Sequence, residues 1–528
     1  MEINTRNIIG YADSEGTKKT SQGVNPVNGN LLEEKFFLAS ENDVNDAMSK
    51  AVEAFVIFKN IPNEQRALFL ERIASEIEDL DDILVARASL ETGLPKDRII
   101  GERGRTTEQL RMFADYIREG SYVEASIDTS LPERVPVPKP DLRKMMVPLG
   151  PVVVFGASNF PLAYSVAGGD TAAAFASGCP VLVKAHPGHP GTSALVGMAI
   201  IKAAKETNMP DGIFSLLYDS GFTIGKALVG HPSAKAVGFT GSVSGGRALF
   251  DIASQRESPI PVFAEMGSTN PSILLPQALK NRASQIADVY SDSITQSVGQ
   301  FCTNPGLLFA VRGDGLNDFI NHLSSKISKS DAGTMLHSGI SEAFREKSIE
   351  MTNQLGVEFI SQSNNEASEA EGKPTLAKAT GEVFINNPKL HEEVFGPFSL
   401  IIECVDENEL RECVNNLVGQ LTTTIIGEDE EFTNYSGLIN ELREKAGRVI
   451  FNGVPTGVEV CPSMTHGGPY PATTDSRFTA VGVHSIKRFL RPVTFQNAPQ
   501  AILPEALKDD NPQQIWRYIN NELTKRMI

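Results

Sequence analysis

VPLGPVVVFGA (147–157) reads as a buried strand that ends in a glycine turn. A strict alternation follows it. A small-residue helix is expected from Ala167 to Ala176, then a strand in CPVLVKA (179–185). The spacing next predicts a helix from Gly191 to Asn208, a strand from Gly212 to Tyr218, a helix from Thr223 to Gly230 and a strand from Ala234 to Thr240. GSVSGGRALFD opens another helix, and Ile260 to Met266 makes a last strand. Repeating strand–helix units imply an α/β protein with a parallel sheet and right-handed crossovers. Ligands of such sheets sit at the carboxyl ends of the strands.

Three strand ends carry chemistry. Gly156, Ser158 and Asn159 follow the first strand, and Lys184 ends the second. Gly241-Ser242-Val243-Ser244-Gly245-Gly246 follows the strand ending at Thr240 and opens a helix. Free N–H groups at a helix N-terminus suit a pyrophosphate. The turn is not G-x-G-x-x-G, and a glycine-rich turn alone is weak support. Its place in an α/β array, with a lysine two strands earlier, strengthens it.

Toward the C-terminus, Glu265 follows a strand and precedes a glycine turn; such a residue is usually solvated or ion-paired. Another α/β region spans 273–311, 312–328, 334–364 and 383–404. Within it lies GQFCTNPG (299–306), after a polar helix-like run (Ser291 to Ser297) and before an apolar strand-like run (Leu307 to Val311). A thiol at such a junction can face a cleft and still be held rigidly, so Cys302 is read as a nucleophile. The alternative is a buried structural cysteine. Glu393 to Phe398 is an acidic–aromatic turn, by itself a charged loop with a packed Phe. FNGVPTGVEVCPSMTHGGPYPATTD (451–475) is a long loop, expected to be the ordered wall of a site. The tail is expected to end in a short helix holding Trp516.

Toward the N-terminus, residues 23–38 look like turns and short strands, with Asn28-Gly29 a turn signal. Asn42-Asp43-Val44 can cap a helix, and further helices are expected over 63–93 and 96–118. Pro132, Pro136, Pro138 and Pro140 with alternating valines suit a linker, an extended arm or an edge strand within 120–143.

The whole chain of 528 residues is too long for one core. Its 41% hydrophobic and 21% charged content is that of a soluble globular protein. A net charge of −17 argues against a nucleic-acid or anionic-membrane partner. Five widely spaced cysteines and eight histidines show neither a disulfide framework nor a metal pattern, so no metal is expected and a reducing cytoplasm fits. His186 and His466 fall in loops where either could touch a ligand. No signal core, membrane span or internal repeat is apparent.

Taken together, SNFP (158–161), VLVK (181–184), FTGSVSGG (239–246), EMGSTNP (265–271), GQFCTNPG (299–306) and EEVFGP (392–397) resemble the aldehyde dehydrogenase superfamily over nearly the whole chain. Within it, NGVPTGVEVCPSMTHGGPYPATTD and RFLRPVTFQNAP are similar to the α-ketoglutarate semialdehyde (2,5-dioxopentanoate) dehydrogenases, and also to NADP-dependent fatty aldehyde dehydrogenase. The resemblance implies Cys302 as nucleophile, Asn159 and the Cys302 N–H as oxyanion donors, and Glu265 as the base for hydrolysis. It places Lys184 on the adenosine ribose, Gly241, Ser242 and Gly245 at the pyrophosphate, and Glu393 and Phe395 at the nicotinamide ribose. Pro187 stands where many NAD-preferring relatives carry an acid, which permits NADP and gives a slight lean to it over NAD. A substrate carboxylate needs a donor, and Arg105, Gln109, Arg111 and Arg118 are candidates on one helix. Phe160, Tyr164, Phe301 and Val460 are expected to line the tunnel.

The implied architecture is a Rossmann-like cofactor domain (1–124 and 145–263), an α/β catalytic domain (264–488) and a small β oligomerisation arm (125–144) with the tail (489–528). A homo-oligomer, dimer or tetramer, is expected. The competing readings are a medium- or long-chain aliphatic aldehyde dehydrogenase and a non-catalytic structural or binding relative; the presence of Cys302, Glu265 and Asn159 argues against the second.

Overall fold

The structure is a computed structural model and describes residues 2–528. Its first sheet has the order Val262–Glu265, Ala236–Thr240, Val152–Phe155, Val181–Lys184, Phe214–Leu217, Asn7–Ile9, Ala12–Ser14. The first five strands are parallel, and the two N-terminal ones join antiparallel. These five are the expected strands, each a residue or more shorter than the apolar run that signalled it. Register sets Thr240 beside Glu265, Phe239 beside Phe155, and Phe155 beside Lys184. The residues with chemistry therefore end on one edge, as parallel strands demand.

The second sheet has the order Glu358–Gln362, Thr375–Thr380, Phe398–Cys404, Leu307–Val311, Ser272–Leu274, Gln420–Ile426, Ala446–Phe451. All but the first strand are parallel. Buried Phe309, Phe384, Leu400 and Ile402 make part of its core.

A third sheet, of five strands, runs Leu490–Gln496, Leu142–Pro148, Ser126–Asp128, Arg517–Ile519, Glu522–Thr524. Here the sequence expectations need correcting. Leu142–Pro148 is flanked on both sides, and the prolines lie in the loop before it, closed where Leu131 and Lys139 exchange backbone bonds. The expected boundary at 144/145 falls inside that strand. Trp516 is not helical; it immediately precedes the strand Arg517–Ile519. The predicted helix over 63–93 is two helices, Asn63–Asp79 and Asp81–Thr92, because Asp81 sits at φ 39. The first long helix, Glu41–Phe58, is capped by Ser40 with Asp43, two residues earlier than Asn42-Asp43-Val44 suggested. Among the described residues no helix is long and apolar enough to cross a membrane.

Candidate active site

Glu265 is the last residue of its strand and is buried. Its carbonyl accepts from the Gly241 N–H at 3.0 Å, tying it to the glycine turn. Met266 N–H donates to the Ala472 carbonyl at 2.8 Å, so the loop at 466–475 runs along the strand end. That loop brings in His466, which is 1% exposed. His466 Nε2 lies 2.9 Å from Glu265 Oε1 and 3.5 Å from Cys302 Sγ. The thiol, carboxylate and imidazole atoms all lie within 4.8 Å of one another.

Cys302 follows a strained junction. The helix Pro276–Thr295 ends, and Ser297, Val298 and Gly299 then adopt φ values of 48°, 58° and 62°. For a β-branched valine that conformation is costly. Gly299 has no alternative, because a Cβ there would lie 2.4 Å from the Gly396 backbone. Asn270 holds the far side of the turn. Its Nδ2 donates to the carbonyls of Cys302 and Asn304, both at 2.9 Å, and its Oδ1 accepts from Ser268 and Thr422 hydroxyls. Gln420 Oε1 accepts from the Thr269 and Asn270 N–H groups at 2.8 and 3.1 Å. Asn159 Nδ2 donates to the Gln300 carbonyl at 3.2 Å, two residues from the nucleophile. The Cys302 N–H has no hydrogen-bond partner among the described residues.

Burial pushes the Cys302 thiol well above the usual range, and the Glu265 and Glu393 carboxylates push it further; Arg105 opposes them. Arg105 Nη2 donates to the Tyr164 hydroxyl at 3.0 Å, and its guanidinium lies 5.3 Å from the Tyr164 ring centre and 5.6 Å from that of Phe160. Phe160 packs edge-on against Tyr164 and Phe301, at 5.2 and 5.6 Å between ring centres. These four side chains form one wall beside the thiol.

Arg111, Arg118 and Gln109 do not join them; Arg118 pairs with Glu64 at 2.9 Å and with Glu71 at 2.5 Å. Arg111 is half-exposed and pairs with Glu78 at 2.6 Å. Six residues past Arg105, it points about 240° around the helix. Gln109 is buried one turn beyond Arg105, with its Nε2 only 2.8 Å from where a Gly169 Cβ would stand. Val460 is half-buried within the long loop.

At the other end of the cleft, Ser242 caps the helix Val243–Ser254 and accepts from the Gly245 N–H at 3.1 Å. Residues 241–244 are exposed, which leaves that helix N-terminus open. A Cβ at Gly241 would meet the Phe239 ring at 2.6 Å. Burial lowers the Lys184 pKa, with Asp219 opposing. Glu393 is pushed up to about 7 by burial, with Lys347 opposing. Gly267 admits that carboxylate, since a Cβ would lie 2.5 Å from Glu393 Oε2. Phe395 lines a cavity with Glu393, Gly299, Phe301 and Ser268. An open helix N-terminus, a half-buried lysine and a carboxylate reached only past a glycine fit a dinucleotide.

Two residues are only partly legible in the sequence. His466 is expected there as a loop histidine that could touch a ligand, but its pairing with Glu265 and Cys302 comes from the fold. Asn270 lies in a motif that was noticed, but only the fold shows its amide clamping the nucleophile turn.

Comparison with known proteins agrees with this geometry. The aldehyde dehydrogenase family matches residues 11–490. The chain is 47% identical over 518 residues to alpha-ketoglutaric semialdehyde dehydrogenase 2 of Azospirillum brasilense, covering 98% of this chain and 99% of that one. It is 45% identical over 491 residues to alpha-ketoglutaric semialdehyde dehydrogenase of Acinetobacter baylyi, covering 93% of each. Among solved structures, a betaine aldehyde dehydrogenase from Staphylococcus aureus in complex with NAD+ superposes with a TM-score of 0.80 at 19% identity, covering 95% of this chain and 97% of that one. A 3,6-anhydro-L-galactose dehydrogenase gives 0.79 at 22% identity, covering 93% and 99%. The last two establish the shared fold. With nearly its full length matched, the chain belongs to the aldehyde dehydrogenase family.

Proposed function

We propose that the protein oxidises 2,5-dioxopentanoate (α-ketoglutarate semialdehyde) to 2-oxoglutarate with NAD or NADP. The observation that carries this reading is the contact of Cys302 with the His466–Glu265 pair beside a wall that holds a cation, Arg105. It is supported by relatives, nearly half identical, that are named for that substrate.

Cys302 Sγ attacks the aldehyde carbon, and its proton passes to the His466–Glu265 pair. As the carbonyl oxygen gains charge, Asn159 Nδ2 turns to it from the Gln300 carbonyl, and the unengaged Cys302 N–H donates as well. Lys184, Gly241, Ser242, Gly245, Glu393 and Phe395 would hold the dinucleotide. When bound, its nicotinamide supplies the hydride acceptor that turns the thiohemiacetal into a thioester. Once the pair has passed the thiol proton to solvent, Glu265 takes a proton from water, whose oxygen attacks the thioester carbon; the C–S bond breaks, the acid leaves, and the pair returns that proton to the Cys302 sulfur. His466 keeps one Glu265 oxygen bonded while the other, Oε2, is buried without a partner and free to accept.

For the cofactor, Pro187 leaves NADP open. Asp219, whose carboxylate acts on Lys184 and accepts from the Gly221 and Ile224 N–H groups, opposes a 2′-phosphate there and reduces the lean to NADP to dual use. Five free cysteines suit a reducing cytoplasm, and the mostly exposed edge strand Leu490–Gln496 suits strand addition in a homo-oligomer.

Steady-state kinetics on an aldehyde panel with each cofactor tests the reading. The expected result is a kcat/KM for 2,5-dioxopentanoate at least about 100-fold above that for decanal. The reverse order overturns it in favour of a fatty aldehyde dehydrogenase.

A further inference from the structure

Arg448 stands in the strand Ala446–Phe451, paired with Thr422 of the neighbouring strand. Directly paired residues point to the same face of a sheet. The Thr422 hydroxyl reaches Asn270, which clamps the Cys302 carbonyl, so the Arg448 side chain leaves the sheet on the nucleophile's side. Its Nη1 donates to the Gly457 carbonyl at 3.0 Å and its Nη2 to the Pro455 carbonyl at 2.7 Å. Gly457 N–H in turn donates to Thr303 Oγ1 at 3.3 Å, next to the nucleophile. The guanidinium is thus fixed beside the turn, with Nε buried and unpartnered. The ionisable groups that feel it are Cys302 and Tyr164; no carboxylate does.

Arg105 is in the same position on a different element. Its Nε is also buried without a partner, and its Nη2 bonds only the neutral Tyr164 hydroxyl. The nearby Glu102 is already claimed by Arg98 at 2.7 Å and by the N–H groups of Leu162 and Ala163. Two guanidiniums in the field of one thiol, each with a buried Nε that has no partner and neither with a carboxylate of its own, leave donors open to an entering anion.

We infer that Arg448, together with Arg105, holds the carboxylate of an anionic aldehyde, and that Arg448 sets the preference for carboxylated over neutral substrates. This rests on the substrate reading above and adds to it a residue from the second sheet. The carbonyls of Pro455 and Gly457 occupy one donor on each terminal nitrogen, which leaves Nε and the remaining donors for carboxylate oxygens.

The test is the ratio of kcat/KM for 2,5-dioxopentanoate to that for pentanal, in wild type, Arg448→Met and Arg448→Lys. The ratio is expected to fall about 10- to 100-fold in Arg448→Met and less in Arg448→Lys, which keeps the charge. If both constants fall together and the ratio stands, Arg448 only braces the loop and the inference is overturned. A wild-type ratio near one overturns the substrate reading itself, and this inference with it. Should Arg448→Met be insoluble, Arg448→Gln retains a donor for the loop carbonyls and is read by the same ratio.

Discussion

The turn at 241–246 and the turn at 297–306 open on the same cleft and are held in opposite ways. In the first, residues 241–244 are exposed, and the Ser242 side chain spans the turn with a bond to the Gly245 N–H. In the second, Gly299, Gln300, Phe301, Thr303 and Asn304 are buried, three successive residues take left-handed backbone angles, and Asn270 pins two carbonyls. A dinucleotide that must arrive and leave needs free N–H groups and little to displace. A nucleophile that must meet the same carbon in every turnover needs its position fixed, and packing elsewhere must offset the strain.

Removing the thiol is the bluntest way to break this comparison. Cys302→Ala should lower NAD(P)H formation by roughly 10⁴-fold or more, followed by absorbance under saturating substrate. Activity near wild type would place the chemistry elsewhere. Asn270→Ala tests whether the rigid turn matters as such. Alanine at φ 47 costs about 1–2 kcal/mol, and the carbonyls of Cys302 and Asn304 lose their donor at about 1–3 kcal/mol each. A fall in kcat of roughly 100-fold with a lower melting temperature is expected. A normal kcat would show that the nucleophile does not depend on this clamp.

The same contrast governs what could be read without a structure. The cofactor turn is local: strand, glycine, serine and helix follow one another, so hydrophobic period and capping chemistry expose it. The five parallel strands of the first sheet were legible for that reason. The nucleophile's setting is not local. His466 lies 164 residues from Cys302, and Gln420, which orders Asn270, lies 150 residues from it. Nothing in THGGP distinguishes His466 from any loop histidine until the Met266–Ala472 bond lays that loop along the Glu265 strand. Arg111 failed in the other direction. Residue type and helix membership were right, but a position six residues past Arg105 faces the outside, where Glu78 waits. The tail misled because Trp516 precedes a three-residue strand, too short to show an alternating pattern.

A smaller effect sharpens the electrostatic side of the rigid turn. Burial is the first cause of the raised Cys302 pKa, and the Glu265 carboxylate is the second. Glu265→Gln keeps the burial and removes the charge. The thiol midpoint, followed by ultraviolet thiolate absorbance against pH, should therefore move down while staying above the ordinary thiol range, because burial remains. The sign is set by the charge: a neighbouring anion disfavours thiolate, so its removal increases the thiolate fraction at any pH below the midpoint. A midpoint that rises would mean that Glu265 supports the thiolate through His466 more than it repels it.

The smallest effect is expected at the open turn. Ser242→Ala deletes the hydroxyl that accepts from the Gly245 N–H and costs the helix about 0.5–2 kcal/mol. The backbone donors at residues 243–245 remain, however, and they are what a pyrophosphate meets at a helix N-terminus. Loss of the cap loosens the turn without removing the site, so the cofactor KM should rise by about three- to tenfold, with most of the change in KM rather than kcat. Asn270→Ala should show the converse split, since it disturbs atoms that act after binding. If Ser242→Ala instead lowers kcat as strongly as Asn270→Ala, the open turn also positions the reacting centre, and the division of labour between the two turns fails.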